Sequence, residues 1–203
     1  MAIHIHQHDL PAGVTFGDAV AIDTETMGLD PHRDRLCVVQ LSAGDGDAHL
    51  VQIASPAQPC PRLTALLADP HITKLFHFAR FDIASLTNCI GPVLGPIYCT
   101  KIASKLARTY TDRHGLKDLC RELLKIDISK QQQSSDWGAE ELTAEQADYA
   151  AGDVLYLHRI RAQLDVMLAR ENRTAIAAQC FAFLPTRARL DLDGFAELDI
   201  FHH

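Results

Sequence analysis

The sequence predicts an α/β fold, a mixed five-stranded sheet flanked by helices in a single domain. Three observations lead there. Three strand-length apolar segments come first, at Ala19 to Glu25, Leu36 to Ala43 and Ala48 to Ile53. The last two are separated by Gly-Asp-Gly-Asp at 44–47, a turn signal that makes them a hairpin. Strand-like and helix-like patterns then alternate, as they do where helices cover a sheet. The 203 residues fit one domain, with no internal repeat and no linker dividing them.

Each later element has its own reason. Pro61 stands near the start of an apolar helical pattern, where its missing N–H costs nothing. Ile72 to Phe78 reads as a buried strand, and Phe81 to Ile90 as the helix after it. Pro96 to Thr100 is a short fifth strand, followed by helical runs at Lys101 to Thr109 and Leu116 to Leu124. Ser-Lys-Gln-Gln-Gln-Ser-Ser-Asp-Trp-Gly at 129–138 is a polar loop with a lone Trp137. Thr143 caps the next helix, and Gln146 three residues on completes a capping-box signature. That helix is expected to run past Asp153 to about Arg170, with a further helix over Thr174 to Phe183. The core is expected over about 15–170. The segment 171–203 carries Leu190, Leu192, Phe195, Leu198, Ile200 and Phe201, which pack either on their own domain or on another subunit.

Composition narrows the function classes. With 47% hydrophobic and 22% charged residues the chain resembles a soluble globular protein. No apolar stretch approaches the roughly 18 residues of a membrane span, and the N-terminus has no basic region leading into an apolar one. Six scattered cysteines without a C-x-x-C pair suit reduced thiols and a cytoplasmic setting. The formal charge of -7 argues against a grip on long nucleic acid through many phosphates. The exception is Lys101 to Lys125, where seven bases stand against three acids. That stretch is either a solvated helix face or a phosphate-binding surface.

The chemistry concentrates in carboxylates. Asp23 and Glu25 are two apart on a strand and so point the same way. Asp82 opens a helix just past a buried strand. Tyr149 and Asp153 are four apart on a helix and share a face. Each alone has an ordinary explanation, from helix-dipole compensation to an amphipathic surface. Together they supply four acids and a phenol, the oxygen-rich set that hard divalent cations take. Two such ions about 4 Å apart can clamp a phosphodiester displacement.

The order D-x-E, D, Y-x-x-x-D resembles the DEDD 3'-5' exonucleases of the tyrosine branch, whose fold is ribonuclease H-like. Ser135-Asp136-Trp137 and the Tyr149 to Val154 segment are similar to ribonuclease D. Asp23 to Leu29, Pro31 to Ser42, Thr100 to Lys117, Ile128 to Trp137 and Leu190 to Phe201 resemble the nano-RNase C diribonuclease group over nearly the whole chain. The resemblance implies a 3'-5' exoribonuclease cleaving diribonucleotides or short RNA with two divalent ions, Mg²⁺ or Mn²⁺, and a homo-octamer. It implies that Asp23 bridges both ions, that Glu25 and Asp153 complete the site of the water-activating ion, and that Asp82 holds the other. Tyr149, with an ordinary phenol pKa of about 10, stays protonated and hydrogen-bonds the attacking water.

For the substrate, the resemblance makes Leu29 a wedge against the bases, with core packing as the alternative. Thr24, Thr26, Met27, Gly28 and Phe81 stand beside it. His77 either touches the substrate backbone or is a satisfied core histidine. Many DEDD proteins have Asn where this chain has Phe78. A short substrate needs a cap for its 5' phosphate, and Lys101, Ser104, Lys105, Arg108, Arg113, His114 and Lys117 are the candidates. A broader exonuclease acting on longer RNA or DNA ends is the alternative. A catalytically inactive nucleic-acid-binding scaffold is disfavoured, because all four acids and the tyrosine are present. His4, His6 and His8 are expected on the surface of an edge strand rather than around a transition metal.

Overall fold

The structure of the protein, a computed structural model, describes residues 2–55, 58–129 and 131–202, so Lys130 of the glutamine-rich loop lies outside it. Among the described residues, six strands form one mixed sheet in the order β1–β4–β3–β2–β5–β6. They are β1 (Ile3–Gln7), β2 (Ala19–Thr26), β3 (Leu36–Ser42), β4 (Ala48–Gln52), β5 (Thr73–Phe76) and β6 (Ile97–Cys99). The sequence predicts five. The sixth, β1, alternates Ile with His and so lacks a continuous apolar run. It is the edge strand, parallel to β4. His4 and His6 stack with His49, with ring centroids 4.9 and 5.2 Å from it. His8 leaves the strand at φ 70° and does not join the stack.

The β3–β4 hairpin forms around the expected turn, where Gly44 takes φ +79° and a Cβ would run into His158. Strand β3 is buried along its whole length, because helices cover both faces. On one face, Val20, Ile22 and Leu41 join the main core, to which Leu75, Ile83, Leu86, Leu157 and Leu164 also belong. On the other, Val38 and Leu50 meet Trp137, Ala147 and Ala150. Each such side chain contributes roughly 1.5–3 kcal/mol on leaving water.

The helices are α1 (Pro61–Ala68), α2 (Ala79–Cys89), α3 (Thr100–Ala107), α4 (Leu116–Leu119, continued by a π-type turn to Leu124), α5 (Ala144–Leu155), α6 (Leu157–Arg170) and α7 (Thr174–Leu190). Two differ from the sequence expectation. The long helix predicted to Arg170 is broken at Tyr156, whose backbone (φ -105°, ψ -6°) separates α5 from α6. A single-residue break leaves the apolar periodicity intact and is invisible to it. Helix α7 continues through Pro185 to Leu190, past the expected end at Phe183. Proline deletes one helix hydrogen bond, but Phe181, Leu184 and Ala188 are buried on either side of it and hold the helix to the core.

Beyond α7 the chain is tied to α2. Arg80 and Arg187 both donate to Asp191 Oδ1 at 2.7 Å and to the Ala196 carbonyl. Phe195, Leu198, Ile200 and Phe201 remain exposed. Among the described residues no helix is long and apolar enough to cross a membrane.

Candidate active site

Strand β2, helix α2 and helix α5 place the acids. Asp23 and Glu25 project from the same face of β2, opposite Gln40 and Val38 of β3, and the register slips just past Glu25. Helix α5 crosses that face, so Asp153 and Tyr149 come down beside them. The α5 terminus is fixed by the capping box: Thr143 N donates to Gln146 Oε1 at 2.9 Å and Gln146 N donates to the Thr143 hydroxyl at 3.2 Å. Carboxylate oxygens of Asp23, Glu25 and Asp153 lie within 4.8 Å of one another. Asp82 is buried at 3% exposure in the first turn of α2 and accepts a 2.7 Å hydrogen bond from the Thr24 hydroxyl.

The electrostatics follow from that crowding. Burial, then the nearby Asp82, Asp153 and Glu25, push the Asp23 carboxyl well above the usual carboxylate range. Burial, then Asp153 and Asp82, push Glu25 up to about 9. Burial raises Asp82 to about 7 against the opposing pull of the Thr24 hydroxyl. Tyr149 is raised as well, by burial and then by Asp153, Glu25 and Asp23, so it holds its proton throughout the neutral range. Acids this close each favour a neutral neighbour unless a cation sits among them. The donor set, three carboxylates with oxygen atoms converging at the floor of a cleft, fits a hard divalent cation.

The cleft has a volume of about 640 Å³. Asp23, Thr24, Glu25, Thr26, Met27, Gly28, Leu29, His77, Phe81, Lys101, Lys117, Tyr149 and Asp153 all line it, and Asp82 lies beneath Thr24. Leu29 is 84% exposed at its mouth, which excludes the core-packing reading of that side chain. The loop carrying it is braced: Met27 N donates to the Arg35 carbonyl at 3.0 Å and Asp30 N to Asp34 Oδ2 at 3.0 Å. Gly28 lies against the Asp34 carboxylate, which a Cβ at that position would displace. His77 Nδ1 lies 2.9 Å from the Thr100 hydroxyl.

The rest of the basic stretch is elsewhere. Ser104, Lys105, Arg108, Arg113 and His114 are not among the residues lining the cleft. Arg108 is fully buried, ion-paired with Glu122 and donating to Ser104 Oγ at 3.0 Å and the Arg113 carbonyl at 2.9 Å. Ser104 in turn bonds His114 Nδ1 at 2.8 Å. These polar groups satisfy one another inside the fold, as buried polar groups must, and that network accounts for Arg108. Lys105 and Arg113 are exposed.

Sequence reasoning leaves out three parts of the cleft. Phe78 is a half-exposed wall with the Lys101 ammonium 4.3 Å over its ring. Trp137 is buried with its ring 5.9 Å from that of Tyr149. Gln133, Ser134 and Ser135 form the wall of the glutamine-rich loop. An aromatic residue inside a polar loop is the available signal for Trp137, and the departure from Asn at 78 and the Ser135-Asp136-Trp137 resemblance mark Phe78 and Ser135 without giving them a role; nothing local marks Gln133 or Ser134.

Comparison with known proteins places this geometry. Residues 8–169 match the 3'-5' exonuclease family. A structure of Brucella melitensis NrnC with bound Mg²⁺ is 58% identical and superposes with a TM-score of 0.94 over 100% of both chains. Another, of the same protein bound to pGG, is 59% identical with a TM-score of 0.96, covering 100% of this chain and 99% of that one. Ribonuclease D of Acidiphilium cryptum is 34% identical over 165 residues, 81% of this chain and 42% of its own length, so the chain spans less than half of that curated relative. The chain belongs to the 3'-5' exonuclease family, in the branch of ribonuclease D and NrnC.

Proposed function

We propose that this protein is a metal-dependent 3'-5' exoribonuclease that hydrolyses diribonucleotides and very short oligoribonucleotides to 5'-mononucleotides. The observation that carries the reading is the convergence of Asp23, Glu25 and Asp153 beside Tyr149 on the floor of one cleft. The cleft volume of about 640 Å³ lies in the range of sites that enclose a small ligand. The whole-length similarity to NrnC, a protein seen bound to pGG, supports a substrate of that size.

In this reading Asp23, Glu25, Asp82 and Asp153 hold two divalent ions, Mg²⁺ or Mn²⁺. When bound, such ions polarise the scissile phosphate and make water a competent nucleophile at neutral pH. The chain's own residues do the rest. Tyr149 keeps its proton and orients the attacking water through its phenol O–H. Thr24 holds Asp82 in place. Leu29 and Phe78 offer apolar surface to the bases, and Lys101 and Lys117 offer positive charge to phosphate oxygens.

We further propose a homo-oligomer, an octamer by family resemblance, with the exposed Phe195, Leu198, Ile200 and Phe201 in its contacts. The free cysteines suit action in the reducing cytoplasm. The test is a time course on 5'-labelled RNAs of two to seven nucleotides, and on matching DNAs, with Mg²⁺, Mn²⁺ or EDTA. Fast cleavage of dimers with slow cleavage of heptamers is expected, and none in EDTA. Equal rates on all lengths would leave a general 3'-5' exonuclease. Light scattering on the same preparation reads the oligomer.

A further inference from the structure

Gln146 does two jobs with one amide. Its Oε1 accepts from Thr143 N at 2.9 Å, closing the cap of α5. Its Nε2 donates to the Ser135 hydroxyl at 2.8 Å and to the Asp136 carbonyl at 3.0 Å, across eleven and ten positions of chain. The side chain is 4% exposed, so these bonds are shielded from water. One buried group therefore fixes the helix that carries Tyr149 and Asp153 to the loop that lines the same cleft.

The consequence falls on Ser135. A hydroxyl has one proton to donate and two lone pairs to accept with. Gln146 carries no acceptor on the nitrogen facing Ser135, so that bond occupies a lone pair and leaves the proton for another partner. Ser135 is only half-buried and lines the cleft beside Tyr149 and Asp153. A nucleotide brings only acceptor oxygens on its phosphate and ribose ring, along with its ribose hydroxyls. A serine whose proton is kept free at that wall is matched to them.

We propose that Ser135 donates a hydrogen bond to an oxygen of the bound nucleotide, and that Gln146 is the positioning residue that orients it. This rests on the nucleotide-cleaving reading of the cleft. The loop belongs to binding rather than chemistry: Ser135 stands on the wall, whereas the converging acids form the floor.

The test measures the dissociation constant of a 5'-phosphorylated diribonucleotide alongside KM and kcat. Ser135→Ala is expected to raise Kd and KM about tenfold, the worth of a hydrogen bond to a charged acceptor, with kcat within about twofold. Gln146→Glu keeps the acceptor that Thr143 N needs but removes the donor. Ser135 then turns its proton to the new carboxylate, so the variant is expected to match Ser135→Ala, and the double variant to be no weaker than either. Thr143→Ala loses the cap without touching the loop, and is expected to lower Tm with KM unchanged. Repeating the series without the 5' phosphate identifies the acceptor: a penalty that vanishes assigns the terminal phosphate, and one that persists assigns a ribose or internal phosphate oxygen. Unchanged Kd in Ser135→Ala overturns the proposal. Effects of the two substitutions that multiply in the double variant overturn the role of Gln146. Wild-type protein that binds without cleaving overturns the exonuclease reading alone, with the Kd series still deciding Ser135; no binding at all overturns both.

Discussion

The Thr24 hydroxyl donates a 2.7 Å hydrogen bond to Asp82, joining the strand that carries Asp23 and Glu25 to the helix that carries the fourth acid, 58 residues away. A donor to a carboxylate favours its ionised form. Asp82 sits at about 7 even with that help. Thr24→Val is therefore expected to push it higher and leave it protonated at neutral pH. The expected loss in kcat/KM is about tenfold at pH 7, in line with the roughly 1.5–3 kcal/mol of such a bond. It should shrink toward pH 9 as Asp82 ionises, and Thr24→Ser should restore it. A pH–rate profile decides the matter; a loss of equal size at every pH would point to packing instead.

The raised acids also predict how stability depends on pH. An acid whose folded-state pKa exceeds its unfolded value of about 4 binds its proton more tightly when folded, so stability falls as pH rises between the two values. For Asp82 that window reaches about 7 and for Glu25 about 9. Protein in EDTA is expected to show a falling Tm from pH 6 to pH 9. Adding Mg²⁺ or Mn²⁺ should raise Tm, with the larger gain at the higher pH, because a bound cation relieves the same repulsion. Asp153→Asn removes one repelling neighbour. It should raise the EDTA Tm by a few degrees at pH 8, roughly 1 kcal/mol for a chain of this size, and lose the gain from metal. Thermal melts across pH, with and without metal, measure both.

Arg108 separates a structural base from a substrate-binding one. It is fully buried, and its guanidinium is committed to Glu122, Ser104 and the Arg113 carbonyl. Arg108→Met removes the buried member of a pair whose other member, Glu122, is 32% exposed, and strands the acceptors on Ser104 and Arg113, a change expected to cost about 2 kcal/mol, or roughly 6 °C in Tm. The dinucleotide KM measured below the melting range is expected to stay within about twofold. By contrast Lys101→Ala, which alters the cleft wall, should raise KM and spare Tm. Steady-state kinetics beside calorimetry distinguish the two bases.

These cases show where the sequence is legible. The β3–β4 hairpin, the capping box of α5 and the spacing of Asp23, Glu25, Tyr149 and Asp153 are local patterns, and the structure carries each of them. Strand β1 escapes because an edge strand needs no apolar run, only a neighbour with open hydrogen bonds. The break at Tyr156 escapes because it leaves the periodicity untouched. The basic stretch is the instructive case. A base is equally suited to a phosphate or to a buried glutamate, and only the packing of α3 against the turn after α4 shows that Arg108 meets Glu122. Ser135 is the converse: its neighbour Gln146 is eleven residues on, and nothing in the spacing links them.

Leu29 gives the sharpest separation of binding from stability. A leucine left 84% exposed contributes little to the fold, yet its loop is held by Asp34 and Arg35, with Gly28 close against the Asp34 carboxylate. A braced loop presenting an apolar tip is arranged for contact with something absent from the free protein. Leu29→Ala is expected to move Tm by no more than about 1 °C, as surface substitutions do. Burial of the tip against a base is worth roughly 1 kcal/mol, so KM for a dinucleotide should rise about fivefold. Gly28→Ala, by displacing Asp34, should raise KM further while leaving Leu29 itself in place. Wild-type KM in Leu29→Ala would remove the side chain from the binding surface and leave the bases to Phe78.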